Sequence, residues 1–200
     1  MKKIDLRVVK TLRQIDEALL ECLEAHPFRD ITLGVLCEHA MINKTTFYKY
    51  YQDKYDCLDR YLDRLLREFR EHLDADFVLA APDQIDSPAY QRQFEDLSRF
   101  VYSRRREYRI LWRSKTERQL FLEMMEAMEE SIVQTALAHR FCDEKQRAHL
   151  ELYAHLFSFH AMALFEWWFR HDELVTAEDV RGLMEGNLKR GFLTMFKRLI

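Results

Sequence analysis

The chain has little glycine or proline, only 4 and 3 residues respectively among 200. Glycine-rich phosphate loops need residues that tolerate positive φ, and the hairpin turns of sandwiches and barrels need them too. Phosphate-loop proteins and β-sandwiches or β-barrels are therefore disfavoured. Leu, Glu, Arg, Lys, Met and Ala, which are good helix formers, are abundant and predict long helices instead.

Disulfide, metal and membrane signals are also missing from the sequence. The cysteines form no C-x-x-C pair, the opening MKKIDLRVVK turns polar too early for a secretory leader, and E-x-x-H, Walker and Rossmann motifs are absent. No apolar run reaches the roughly 18 residues of a membrane span. We therefore expect a cytoplasmic protein with reduced thiols, without a membrane segment, catalytic residues, metal or cofactor.

Positive charge is concentrated in one short segment. The formal net charge is −3, so any nucleic-acid surface must be local rather than global. Residues 43–54, NKTTFYKYYQDK, contain four aromatics, three lysines and two threonines, and no acidic residue occurs from His39 to Gln52. This run is either a buried helix with stray charges or a surface that contacts an anionic partner.

Helical periodicity extends along the whole chain, broken by prolines at 79–88. The part before the break predicts helices over about 5–25, 33–40, 43–51 and 54–73, with Thr32, Asn43 and Asp53 as N-caps. The part after it predicts helices over about 88–103, 105–114, 117–140, 144–171 and 176–198. Thr176 and Asp179 are spaced as a capping box at the start of the last one.

The two short helices on either side of residues 40–43 have the spacing of a helix-turn-helix. Phe47 and Tyr51 are four residues apart, so they share a helix face and should turn inward. The residues between them would then point outward, where Lys and Thr can reach base edges and phosphates in a major groove.

The segment ITLGVLCEHAMINKTTFYKYYQDKYDCL resembles the helix-turn-helix of the TetR family of bacterial transcriptional regulators. The matching positions are Thr32, Leu33, Leu36, Cys37, Ala40, Ile42, Thr46, Phe47, Tyr48, Tyr50, Lys54 and Leu58. Met41 stands where that family has glycine in the turn, and this predicts a less comfortable backbone there.

The resemblance implies an all-α homodimer with an N-terminal three-helix DNA-binding domain and a larger helical domain for ligand binding and dimerisation. On this chain the domains would be 1–52 and 53–200, connected by a helix over 53–74. The implied function is a sequence-specific repressor that binds a pseudo-palindromic double-stranded operator. A small apolar or amphipathic effector would release it from the operator.

The DNA-binding roles follow from the resemblance, position by position, whereas the pocket and dimer candidates of the larger domain rest on its aromatic, methionine and apolar helix stripes. Recognition-helix candidates are Asn43, Lys44, Thr45, Thr46 and Tyr48. Phosphate-contact candidates are Thr32, Lys49, Tyr50 and Lys54, with Lys2 and Lys3 as possible additions from the N-terminus. For the larger domain, the ligand-pocket candidates are Phe100, Tyr108, Trp112, Phe121, Met125 and Phe157. The dimer-interface candidates are Phe157, Ala161, Leu164, Trp168, Leu188, Phe192 and Met195.

Other interpretations stay open at this point. The same fold could serve as a DNA-binding or protein-docking module without an effector, and a helical metal-bundle enzyme is a third, less favoured alternative. The run SRRREYR at 103–109 is best interpreted as a solvated helix junction, although a site for an acidic ligand would also fit its charge.

Overall fold

The protein is described by a computed structural model that covers residues 6–79, 88–139 and 143–187. Within these ranges the chain is helical, with short 3-10 turns and no β-strand. The helices are α1 (Leu6–Ala25), α2 (Leu33–His39), α3 (Lys44–Phe47), α4 (Lys54–Glu71), α5 (Pro88–Ser103), α6 (Arg105–Leu111), α7 (Leu120–His139), α8 (Glu144–Arg170) and α9 (177–187, the described part).

The chain divides into two compact units. The N-terminal unit is Met1–Arg67 together with Arg106–Leu120, and the larger unit is Glu68–Arg105 together with Phe121–Ile200. The predicted boundary at residue 52 separates a DNA-binding domain from a ligand-binding and dimerisation domain, and it stays a prediction. The compact units are divided differently, because α4 runs through both of them and α6 belongs mainly to the first.

The core of the N-terminal unit is formed by the apolar faces of its helices. Helix α1 packs on α2, and α2 packs on α3. Ile15, Leu19 and Leu23 of α1 are buried at spacings of four residues. Further core residues from the other helices are Leu36, Cys37, Phe47, Cys57, Leu58, Leu62 and Leu65. Full burial of each large apolar side chain contributes about 1.5–3 kcal/mol.

Two arginines make ion pairs across the N-terminal unit. Arg64 donates to Asp16 over 2.6 Å, which joins α4 to α1 in a partly buried position. Arg106 at the start of α6 donates to Glu17 and, over 3.4 Å, to Glu24, both on α1. The two Arg106 pairs tie the start of the segment at 106–120 to α1, although the two are far apart in sequence.

The larger unit has its core on one face of α8. Ala154, Ala161, Phe165 and Trp168 are buried at spacings of three, four and seven residues. The indole of Trp168 stacks on Tyr102 at 4.5 Å, and its Nε1 donates to the carbonyl of Val175 over 2.9 Å. Trp168 therefore connects α5, α8 and the segment before α9.

Helix caps account for several of the observed boundaries. The predicted capping box before α9 is confirmed, because Thr176 N donates to Asp179 Oδ2 and Asp179 N donates to Thr176 Oγ1. At the start of α8, Asp143 and Gln146 form a second capping box that sequence reasoning missed. No helix in the described part of the chain is both long and apolar enough to cross a lipid bilayer.

Candidate nucleic-acid interface

The turn between α2 and α3 is a Schellman motif with methionine in the left-handed position. Ile42 N donates to Cys37 O and Met41 N donates to Glu38 O, each over 3.0 Å. Met41 has a φ of 53° and an exposed side chain. The predicted strain at this position is confirmed, because φ values in this region favour glycine.

We expect Met41→Gly to stabilise the protein by about 1 kcal/mol, because glycine adopts the left-handed conformation without a Cβ clash. The side chain of Met41 is 82% exposed, so its removal loses little packing. Chemical denaturation would measure the change. Met41→Ala, which keeps the Cβ, is the matched control and should give no comparable gain. Equal stabilisation by both variants would contradict strain as the cause.

Side-chain caps fix the start of each short helix. Thr32 Oγ1 accepts from Val35 N over 3.2 Å at α2, and Asn43 Oδ1 accepts from Thr46 N over 2.7 Å at α3. Both predicted caps are confirmed. Each residue keeps hydrogen-bond donors for another partner, namely the hydroxyl proton of Thr32 and the Nδ2 protons of Asn43.

Helix α3 is shorter than predicted. It was expected to run through Tyr51, but the α-helix ends at Phe47. The chain then continues in 3-10-type turns, with Lys49 N donating to Thr46 O and Tyr50 N to Phe47 O. A 3-10 turn at a helix end gives the last carbonyls of the helix hydrogen bonds from amides three residues later.

The inward face of this segment holds it in the N-terminal unit. Phe47 is completely buried and Tyr51 is almost so, as their spacing predicts. Their ring centroids are 5.4 Å apart. Burial raises the pKa of the Tyr51 phenol to about 12, so this group stays neutral near neutral pH.

The opposite side of the segment faces solvent. Asn43, Lys44, Thr45, Tyr48 and Lys49 are exposed, with 58% of Tyr48 accessible. Thr46 and Tyr50 are half-buried. Lys44 and Lys49 form no ion pair with a described residue, so their charges are available to an anionic partner.

Lys54, a predicted phosphate contact, makes hydrogen bonds within the N-terminal unit. Its Nζ donates to the carbonyls of Phe28, Arg29 and Ile31 over 2.9, 3.0 and 2.7 Å. It also lies 4.9 Å from the ring centroid of Phe28 and 5.3 Å from that of Tyr55. A lysine ammonium has three donors. All three are directed at this carbonyl turn, and the phosphate contact of Lys54 stays a prediction.

Known proteins share part of the sequence and the fold of this chain. No protein-family profile matches the chain. Over 73 residues, 36% of this chain, it is 33% identical to the uncharacterized helix-turn-helix transcriptional regulator YxbF of Bacillus subtilis. The chain spans only 19% of the length of that curated relative.

Two solved structures share the architecture over nearly their whole length. One is a Clostridium perfringens protein described as a fatty acid metabolism regulator, with a TM-score of 0.62, 20% identity, and coverage of 90% of this chain and 98% of that one. The other is the dihydroxyacetone kinase operon activator DhaS, with a TM-score of 0.56, 14% identity, and coverage of 94% and 97%. The chain shares the all-helical fold of these two proteins. Helices α2 and α3 form a helix-turn-helix within it.

The larger unit contains a small apolar cavity of about 40 Å³. Its lining includes Phe94, Leu97, Met128, Ile132, Phe157 and Met184. Among the predicted pocket residues, only Phe157 lines this cavity. Phe121 and Met125 are not part of its lining, and Phe100 stacks on His72 with centroids 3.8 Å apart. Tyr108 and Trp112 stack on each other in the N-terminal unit.

The predicted dimer-interface positions on α8 stay predictions, although the single subunit already encloses them. Ala161, Leu164 and Trp168 are buried within the subunit, and Phe157 lines the cavity. Leu188, Phe192 and Met195 lie outside the described residues. The face of α8 that carries exposed apolar side chains is a different one, formed by Leu152, Tyr153, Leu156 and Phe159, which we call the α8 stripe. Periodicity alone missed it, because apolar residues occur on both faces of α8.

Proposed function

We propose that the protein is a DNA-binding transcriptional regulator that acts in the cytoplasm as a homodimer on a pseudo-palindromic operator. Each subunit would present the amino end of α3 to a major groove, and the two half-sites would be about 34–36 Å apart. Lys44, Thr45 and Tyr48 would face base edges and the adjacent backbone. Lys49, Tyr50 and Thr32 would contact phosphates, which set the register of the protein on the duplex.

The observation that carries this proposal is the two-sided nature of the segment at 43–51. Its inner face is fixed by the buried rings of Phe47 and Tyr51, while Lys44, Thr45 and Tyr48 remain exposed. Hydroxyl and ammonium donors on a rigid helix start suit the acceptor-rich edge of the major groove. The segment from His39 to Gln52 contains no Asp or Glu, so no carboxylate within it repels phosphate.

The test is a salt titration of binding to operators selected from random duplex DNA. We expect Lys44→Ala to weaken binding and to lower the salt slope by about one, because one phosphate neutralisation is lost. Thr45→Ala should alter the preferred base at one position of the selected site, at a cost of about 1–3 kcal/mol.

Lys145→Ala is the matched control for loss of charge, since Lys145 is exposed on α8 in the larger unit. It should leave both affinity and base preference unchanged. If Lys44→Ala, Thr45→Ala and Lys145→Ala bound the selected DNA with equal affinity and equal preference, α3 would not be the reading element and the proposal would fail.

Dimerisation is proposed through the α8 stripe. Leu152, Leu156 and Phe159 follow each other at spacings of four and three residues and each is about half exposed. Tyr153 adds a further exposed aromatic beside them. Contiguous exposed apolar surface of this kind marks an interaction site. In a homodimer, the same stripe on two chains would pair about a two-fold axis.

The effector is proposed to be a small apolar molecule that enters the cavity of the larger unit. A cavity of about 40 Å³ is well below the roughly 300 Å³ typical of drug-sized ligands. Binding therefore requires rearrangement of the lining, for which the flexible thioethers of Met128 and Met184 are suited. Thermal-shift screening of uncharged apolar compounds tests this, since a ligand of the native state raises the melting temperature.

Repression is the proposed direction of regulation, and activation is the second candidate. The name of DhaS describes an operon activator, so this fold is compatible with either outcome. In vitro transcription from a promoter that carries the selected operator separates the two, because a repressor lowers the transcript level and an activator raises it. A module without an effector would show no ligand-dependent change in either assay.

A further inference from the structure

A cleft of about 480 Å³ lies within the N-terminal unit, between the carboxyl end of α1 and the residues of α6 and the turn that follows it. This volume falls in the range of sites that hold drug-sized ligands. It is much larger than the cavity in the other unit, which measures about 40 Å³. The proposed function uses neither this cleft nor the residues that line it.

The charged residues around the cleft are mainly cations. Arg109, Arg113 and Lys115 line it, and the acidic residue among its lining is Glu24, which accepts from Arg106 over 3.4 Å. Arg113 and Lys115 are exposed and form no ion pair with a described residue. The carboxyl end of α1 contributes about half a negative charge, which the charges of Arg113 and Lys115 exceed. The cleft therefore favours an anion.

The floor of the cleft is apolar. Leu23, Phe28 and Ile110 contribute buried side chains to its lining, with Pro27 beside them. A free inorganic anion would leave this surface without a partner. A molecule with an anionic group and a hydrocarbon body would satisfy the cationic rim and cover the apolar floor together.

We propose that this cleft binds an organic carboxylate with an apolar body. The carboxylate would lie against Arg113 and Lys115, and the hydrocarbon would lie on Leu23, Phe28 and Ile110. The site goes beyond the proposed function, because it belongs to the unit that contains α3 and is separate from the effector cavity. Its binding can be measured without DNA, so its failure would leave the DNA-binding proposal intact.

The test uses the full chain and octanoate as the probe, in titration calorimetry at low salt. We expect saturable binding of one octanoate per chain, weakened by added salt because exposed charges are screened. Octanol, which lacks the charge, and acetate, which lacks the hydrocarbon, should each bind at least tenfold more weakly. The double variant Arg113→Gln/Lys115→Gln should raise the Kd about tenfold, since two exposed charge pairs are lost.

The control Lys10→Gln/Lys145→Gln removes the same net charge at two other exposed positions and should leave the Kd unchanged. A space-filling variant, Ala25→Trp, places a large ring in the cleft and should abolish binding while the circular dichroism spectrum stays native. Three results would each overturn the proposal: no saturable octanoate binding at millimolar concentration, equal binding of octanol, or an unchanged Kd in Arg113→Gln/Lys115→Gln. If that variant lowered affinity for duplex DNA alone, these cations would serve DNA instead.

Discussion

Replacing Lys54 by methionine should lower the free energy of unfolding by about 2–4 kcal/mol. The ammonium group donates to three carbonyls in the turn at 28–31. Hydrogen bonds from charged groups contribute about 1.5–3 kcal/mol each when buried, and less here because the site is partly exposed and water can replace some of them. Methionine keeps the apolar stem of the side chain. The decrease in the free energy of unfolding would therefore come from the lost hydrogen bonds rather than from lost packing.

Denaturant unfolding followed by circular dichroism measures this effect. Lys54→Arg should restore little of the stability, because a planar guanidinium does not fit three converging carbonyls as a compact ammonium does. Lys145→Met, at an exposed position without an ion pair to any described residue, should change stability by less than about 0.5 kcal/mol. If Lys54→Met left stability unchanged and reduced the salt slope of DNA binding, the predicted phosphate contact would be supported.

The double variant Leu156→Glu/Phe159→Glu should dissociate the proposed dimer. Both side chains are more than half exposed in the single subunit, so the substitution disturbs the subunit fold little. In a paired α8 stripe it would bury carboxylates against apolar surface, which costs several kcal/mol per charge. We expect the dimer dissociation constant to rise more than a hundredfold, and affinity for the two-half-site operator to fall with it.

Sedimentation equilibrium measures the association, and the unchanged helical signal confirms that the variant is folded. Leu6→Glu places a charge on an exposed leucine of the other compact unit and should not affect self-association. A dimer that persisted in Leu156→Glu/Phe159→Glu would exclude the α8 stripe as the interface. A chain that was monomeric before substitution would exclude the homodimer itself.

The features that sequence reasoning predicted correctly are local ones. The caps at Thr32, Asn43 and Thr176, the inward faces of Phe47 and Tyr51, and the backbone strain at Met41 all depend on residues within a few positions of each other. Capping and helix periodicity are set by interactions between residues three to four apart, so the sequence contains the information directly.

Local sequence patterns did not predict the hydrogen-bond partners of Lys54 or the face of α8 that packs inside. Lys54 matched the motif as a phosphate contact, but its partners lie 23–26 residues earlier in the chain. Helix α8 has apolar residues on two faces, and periodicity could not decide which one packs inside. The structure buries Ala161 and Trp168 and leaves Leu156 and Phe159 exposed.

The sequence by itself therefore determined the helical class, the helix-turn-helix and its capped, outward-facing α3 start. Only the tertiary structure decided the hydrogen-bond partners of Lys54, which face of α8 packs inside, and the joining of α6 to the N-terminal unit. The physical reason is the distance along the chain between the residues that interact. Local hydrogen bonds and periodicity are set by neighbours in the chain, whereas burial and ion pairing depend on which distant segments the fold brings together.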